Sequence, residues 1–265
     1  MRTVWVAVLA AGLAGNTFAE TNEQRGKRVV DEALSALGGD HYLAMRDRVE
    51  AGRAYSFYNE NLTGLALAKI YTRYLAGPDT PGLLSVRERQ AFGKKGEDVI
   101  LFTQGTGYEI TFRGARPLPQ ARIQLFNVSR MHDVFYIIHE RLKEPGMVFE
   151  SRGSDFYDNR PVEIVDISDS SNETVTVYFD QLSKLPTRQS YVRRDPIDKQ
   201  RIEEVSIFAK YRDLGGGVMW PYSIRRERNG EKIFEIFSES VEINQDLKDN
   251  LFTLPADMKI LKKEK

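Results

Sequence analysis

The sequence predicts an α+β fold in which a long antiparallel sheet curls into a half-open β-barrel of about eleven or twelve strands beneath a few helices. Three observations carry this. The stretch 201–254 reads as three successive strands, broken at Gly215-Gly216-Gly217 and at Asn229-Gly230. Asn-Gly suits a two-residue turn because both central positions of a type I′ turn need positive φ. Nine further segments of alternating, β-branched or aromatic character lie upstream with short breaks between them, and short connections favour antiparallel neighbours. Between the two upstream groups lies a stretch of helical spacing, the natural cover for an open sheet.

Taken in order, residues 1–19 stand apart from the fold. Arg2, the apolar run 4–14 and the small-x-small end Thr17-Phe18-Ala19 have the layout of a secretory signal peptide cleaved after Ala19. The run is shorter than the roughly 20 residues a membrane-spanning helix needs. The remainder, 20–265, reads as a single domain, expected in the periplasm and not membrane-spanning. The chain has no cysteine, so no lipid can be attached at the cleavage point and the core alone must stabilise the fold. Of 38 basic and 38 acidic residues, removal of 1–19 takes away only Arg2. A near-neutral balance argues against a nucleic-acid partner, which draws on surplus Lys and Arg.

Residues 20–37 predict a first helix, with Asn22 as N-cap, Val29, Val30, Ala33, Leu34 and Leu37 on one side and Gly38-Gly39 as the stop. Strand character follows at 49–58, 65–76, 83–92, 97–103 and 108–112, with breaks at 59–64, 77–82, 93–96 and 105–107. Pro117 and Pro119 end this run, so 113–120 is expected to carry no strand. Over 121–142, Ile123, Phe126, Met131, Val134, Ile137, Ile138 and Leu142 share an arc, while His132, Tyr136 and His139 face away. Asn127 and Ser129 are candidate break points, with Ser129 capping a second helix. Strands resume at 147–157, 161–167, 173–179 and 186–194. In the last strand the apolar parity shifts between Phe234, Ile236 and Val241, Ile243, which predicts a bulge. Pro221 points to an edge or an irregular position.

No constellation supports catalysis, a metal or a cofactor. His132 and His139 are seven apart with no Cys nearby, unlike the three- or four-residue spacing of helical zinc ligands, and are expected on an exposed face. No Gly-x-Ser-x-Gly elbow occurs. Gly93-Lys94-Lys95-Gly96 lacks the length and hydroxyl of a phosphate loop and reads as a hairpin turn. The two Trp, twelve Tyr and fourteen Phe supply large apolar surfaces of the kind that fill cores or line ligand cavities.

The segment 156–255 resembles the LolA/LolB-like periplasmic group, including the outer-membrane lipoprotein-sorting proteins. The resemblance is carried by the order of Arg160-Pro161-Val162-Glu163-Ile164-Val165, Val177-Tyr178-Phe179-Asp180, Leu185-Pro186-Thr187-Arg188, Lys210-Tyr211-Arg212, Gly217-Val218 with Trp220-Pro221, Arg228-Asn229-Gly230 and Leu251-Phe252-Thr253-Leu254-Pro255. Asn159 stands where the group usually has Gly, and Gly216-Gly217 replaces Asp-Gly, both compatible with positive φ. The resemblance implies an open antiparallel half-barrel of roughly eleven strands, closed by an N-terminal helix and mid-chain lid helices over an apolar cavity. It further implies a non-catalytic carrier or binder of a lipid or of the acyl chain of a lipoprotein, with a possible transient envelope protein partner. The expected cavity residues are Phe126, Met131, Val134, Phe135 and Ile138 from the lid and Trp220, Phe234 and Ile236 from the sheet. The alternative is an envelope sensor or protein-interaction module with a filled interior, using an exposed edge near Pro221.

Overall fold

The computed structural model describes residues 19–77, 83–195 and 198–262. Most of the expected signal peptide and of the turn at 77–82 lies outside them. Among the described residues one antiparallel sheet holds thirteen strands: β1 Asp47–Tyr58, β2 Asn61–Tyr74, β3 Val86–Phe92, β4 Asp98–Phe102, β5 Gly107–Thr111, β6 Gly114–Pro117, β7 Val148–Tyr157, β8 Arg160–Ser168, β9 Thr174–Asp180, β10 Pro186–Arg194, β11 Arg201–Asp213, β12 Met219–Arg228 and β13 Glu231–Ile243. Their spatial order is β6-β5-β4-β3-β2-β1-β13-β12-β11-β10-β9-β8-β7. Two meanders therefore join where β1 meets β13. The sheet does not close, because β6 and β7 do not pair.

Sequence explains the local geometry. Asn229 and Gly230 take φ of 50° and 82°, as their turn requires, and Asn159 sits at φ 58° beside Asp158. The parity shift in β13 is a real bulge: Ala51 pairs with Ser240 and Gly52 with Ser238, leaving Glu239 as the extra residue. Gly52 is obligatory there, since a Cβ would lie 2.2 Å from the Phe237 carbonyl oxygen.

The first helix, α1 Asn22–Leu37, starts one residue earlier than Asn22 suggests. Thr21 is the N-cap, and its hydroxyl and the Gln24 side chain form a reciprocal capping box. After the short α2, Asp40–Leu43, the chain enters β1. The expected break at 59–64 is only Asn59-Glu60, which take φ of 45° and 61°, so β2 begins at Asn61. The stretch beyond β5 is not strand-free: β6 pairs Gly114 to Pro117 with β5. As the outermost strand of its half it tolerates Pro117, whose missing N–H would matter in an interior strand.

The cover segment consists of α3 Gln120–Met131, the single turn α4 Val134–Tyr136 and a π-helical turn Ile137–Arg141. The break falls at His132 and Asp133, not at Asn127 or Ser129. Asp133 is the residue whose carboxylate accepts from a backbone N–H, that of Phe135 at 3.1 Å, and so caps the second part. Pro221 does not mark an edge, because β12 lies between β11 and β13. It sits beyond Ser223, where pairing with β13 begins, so its missing N–H is needed by no strand on that side.

Both sheet edges are covered. Gly26 of α1 lets the helix lie against β7, where a Cβ would fall 2.4 Å from the Phe149 carbonyl oxygen. At the other edge the C-terminal segment bridges β6: Ala115 N–H donates to Lys259 O at 2.9 Å and Leu261 N–H to Ala115 O at 2.8 Å. Phe252 of that segment is buried against Ala91, Val99, Leu101 and Ile110 on one face of β3–β5. On the opposite face the main core packs α1, α2 and the α4–π turn onto β7–β12, with Val30, Tyr42, Ile138, Val177 and Phe179 at its centre.

Candidate ligand cavity

The β7–β12 half of the trough is filled by helices, whereas the half built around β1–β3 and β11–β13 retains a hollow. Register shows how the two meet. Val165, Val177, Gln189, Ser206, Arg226 and Phe234 form one cross-strand row on the inner face, which runs from packed core into open space. The hollow has a volume of about 280 Å³ and its apolar wall is Ile70, Phe92, Ile224, Phe234 and Ile236. Phe135 and Trp220, 4.7 Å apart between ring centroids, close its inner end. A second hollow of about 230 Å³ adjoins it and shares Gln90, Ser129, Ser206, Arg226 and Ile233.

The expected residues divide. Phe135, Trp220, Phe234 and Ile236 line the hollow. Phe126 lines the adjoining one, its ring stacked on Phe102 at 3.8 Å. Met131 packs with Leu84, Val86 and Tyr136, and Val134 and Ile138 are wholly buried in the main core. The helical wheel placed Val134 and Ile138 on the inward arc, but the helix is interrupted and drives them deeper than a continuous helix would.

His132, His139 and Tyr136 do not face away from the core as expected. Tyr136 is buried and its hydroxyl accepts from Ser85 N–H at 2.9 Å. His132 stacks on Tyr191 at 4.3 Å and contacts the Val128 carbonyl oxygen at 2.8 Å. His139 stacks on Tyr74 at 4.0 Å and contacts Met45 O at 2.9 Å. A π-turn replaces a regular continuation, so the wheel no longer assigns faces beyond Asp133.

The hollow is also less uniformly apolar than sequence suggested. Arg48, Glu50, Glu88, Arg130 and Asp133 line its inner end, with Arg226 further along β12. Glu88 is fully buried. It pairs with Arg130 of α3, which also meets Asp133 at 2.8 Å. Burial opposes the charge of Arg130, yet Glu88 and Asp133 outweigh it and hold the guanidinium above its ordinary range. This cluster ties the cover to β3. Other ties are Val134 N–H to the Gln189 side-chain oxygen, 2.9 Å, and Arg141 to Asp169, 3.0 Å. Burial pushes the Tyr42 and Tyr211 phenols well above their usual range, leaving both as neutral hydrogen-bond donors, Tyr42 to Phe135 O at 2.8 Å and Tyr211 to Pro186 O at 2.6 Å.

The fold of this chain is also found among solved structures. A candidate outer membrane lipoprotein-sorting protein domain from Vibrio parahaemolyticus aligns with a TM-score of 0.55 at 11% identity, over 87% of this chain and 97% of that one. A DUF1329 family protein from Desulfovibrio piger gives a TM-score of 0.57 at 11% identity, over 88% and 98%. This chain has the LolA-like fold. A LolA superfamily protein from Nitrosomonas europaea also aligns, with a TM-score of 0.49 at 12% identity over 84% and 97%. No protein-family model and no curated protein matches the chain. At such identities the likeness concerns the fold, and the LolA-like trough of this chain carries its own lining, including the charged inner end. Among the described residues no helix is long and apolar enough to cross a membrane.

Proposed function

We propose that the protein is a non-catalytic carrier or binder of an amphiphile, a lipid or the acyl portion of a lipoprotein, working in the periplasm after removal of residues 1–19. The observation that carries this reading is the hollow under the cover segment, with Ile70, Phe92, Ile224, Phe234 and Ile236 as its wall. Its volume, about 280 Å³, lies just below the roughly 300–1,000 Å³ typical of ligand sites. The resting hollow therefore suits part of one chain, and a larger cargo requires α3 to move away from β3. The process is physical: each methylene removed from water contributes about 0.8 kcal/mol. The fold shared with a candidate lipoprotein-sorting domain supports the same reading.

Titration with an environment-sensitive fluorophore bearing an alkyl chain tests it. A Phe234→Asp variant should bind the probe at least about tenfold more weakly while keeping its unfolding midpoint near that of the parent, because Phe234 is only partly buried and a cavity charge resists an apolar guest. Equal affinity of variant and parent would remove the hollow as the site.

A second reading, an envelope protein-interaction module, is favoured by a different feature. β2 pairs with β3 only from Ala68 onward, so its first residues overhang with Leu62, Leu65 and Leu67 exposed. An overhanging strand of this kind can accept a partner by strand addition. A protein that binds no alkyl probe but is captured through Leu65 crosslinks to an envelope protein would favour this second reading.

A further inference from the structure

Two buried donors at the inner end of the hollow have no hydrogen-bond acceptor among the described residues: the indole Nε1–H of Trp220 and the Nε–H of Arg48. Both side chains are more than nine-tenths buried and both line the hollow. They lie together, the Arg48 guanidinium stacked 3.8 Å over the Trp220 ring. The remaining contacts of Arg48 are long: Tyr74 hydroxyl at 3.4 Å, Thr72 hydroxyl at 3.3 Å and a Glu50 carboxylate oxygen 3.7 Å from Nε. The other Glu50 oxygen is taken by Ser238 at 2.5 Å. Buried donors are normally satisfied, and leaving one without an acceptor is costly.

Charge decides which acceptor fits. The charged lining of the hollow is Arg48, Arg130 and Arg226 against Glu50, Glu88 and Asp133, three of each sign, so it is already balanced. A carboxylate or phosphate would bring in a buried charge that this balance leaves unpaired. A neutral carbonyl brings acceptor lone pairs without charge. The wall beyond it, Ile70, Ile224, Ile236 and Phe234, would take the attached alkyl chain.

We propose that the hollow holds its guest with the acyl carbonyl inward, an ester or amide oxygen accepting from Trp220 Nε1–H and Arg48 Nε–H, and the hydrocarbon lying towards Phe234. This rests on the carrier reading and specifies its ligand: an esterified or amidated acyl chain in preference to a free fatty acid.

The test compares four probes of equal chain length on the full chain: a monoacylglycerol, the corresponding N-acyl amide, the glyceryl ether lacking the carbonyl, and the free fatty acid. Ester and amide should each bind about tenfold more tightly than the ether, the scale of one or two desolvated hydrogen bonds, and the acid should bind more weakly than the ester. In Trp220→Phe the ester-to-ether ratio should fall towards one, whatever change the smaller ring makes in the affinity common to both probes. Because that variant also alters the stack on Arg48, a second readout is the 15N-resolved indole resonance of Trp220, assigned by its loss in Trp220→Phe. It should move downfield with ester and not with ether. Ester and ether bound equally by the parent, a preference for the acid, or an indole signal indifferent to the carbonyl would each overturn the carbonyl subsite and leave the carrier reading standing. Failure of all four probes to bind would overturn both.

Discussion

Gly26 shows how much a single position governs. It is a poor helix former by about 1 kcal/mol relative to Ala, yet it lies where α1 comes against the backbone of β7 at Phe149 and Ser151. Gly26→Ala should improve the isolated helix and still lower the unfolding free energy of the protein, by about 1–3 kcal/mol, read as a shift in urea midpoint; an unchanged or raised midpoint would show that α1 does not seal that edge. Residues deeper in the cover behave differently from those facing the hollow. Ile138 is fully buried, so Ile138→Asp should abolish folding by leaving an unpaired charge in the core, in contrast to the folded Phe234→Asp protein. The inward charges were hidden from sequence reasoning for a simple reason. Val86, Glu88, Gln90 and Phe92 share one face of β3 by alternation, but in a chain with 29% charged residues an Arg-Glu-Arg-Gln run looks like a solvated strand. The cue lay in parity with Val86 and Phe92, which places Glu88 inside.

The elements legible in the sequence were those with strong local chemistry. Alternation and turn residues located twelve of the strands, and the bulge in β13 followed from its own parity. What local pattern could not reveal was β6, whose Pro117 is tolerated only because of where the strand lies, or the break of the cover at Asp133, which depends on one carboxylate choosing a backbone partner. The junction after that break is anchored electrostatically. Partial burial pushes the Asp169 carboxyl upward, but the Arg141 guanidinium and the N–H groups of Ser171 and Glu173 outweigh it and hold it below the ordinary 3.8. A carboxyl depressed in the folded state contributes stability that is complete above its unfolded pKa and is lost as pH falls through the folded value. Stability should therefore decline below about pH 4, and Asp169→Asn should be less stable at neutral pH with a shallower loss on acidification. Parallel pH profiles for the two proteins, measured by thermal unfolding, would contradict that anchoring role.

At the scale of the molecule, the thirteen strands of the described residues make an open trough whose two halves have different work. One half is a packed core around α1 and the π-turn. The other keeps a hollow bounded by apolar strand residues and a charged inner end, under a helix held to β3 chiefly through Arg130 and Glu88. This asymmetry follows from which strands the helices reach, a long-range fact that no window of sequence contains. The central claim, that the hollow exists to hold an acyl chain, is tested most directly by mass spectrometry of the protein isolated without detergent from a cell envelope. An acyl lipid or acylated peptide in near one-to-one amount, lost in Phe234→Asp, is the expected result. A protein free of lipid that also fails to take up acyl chains when they are supplied would contradict it.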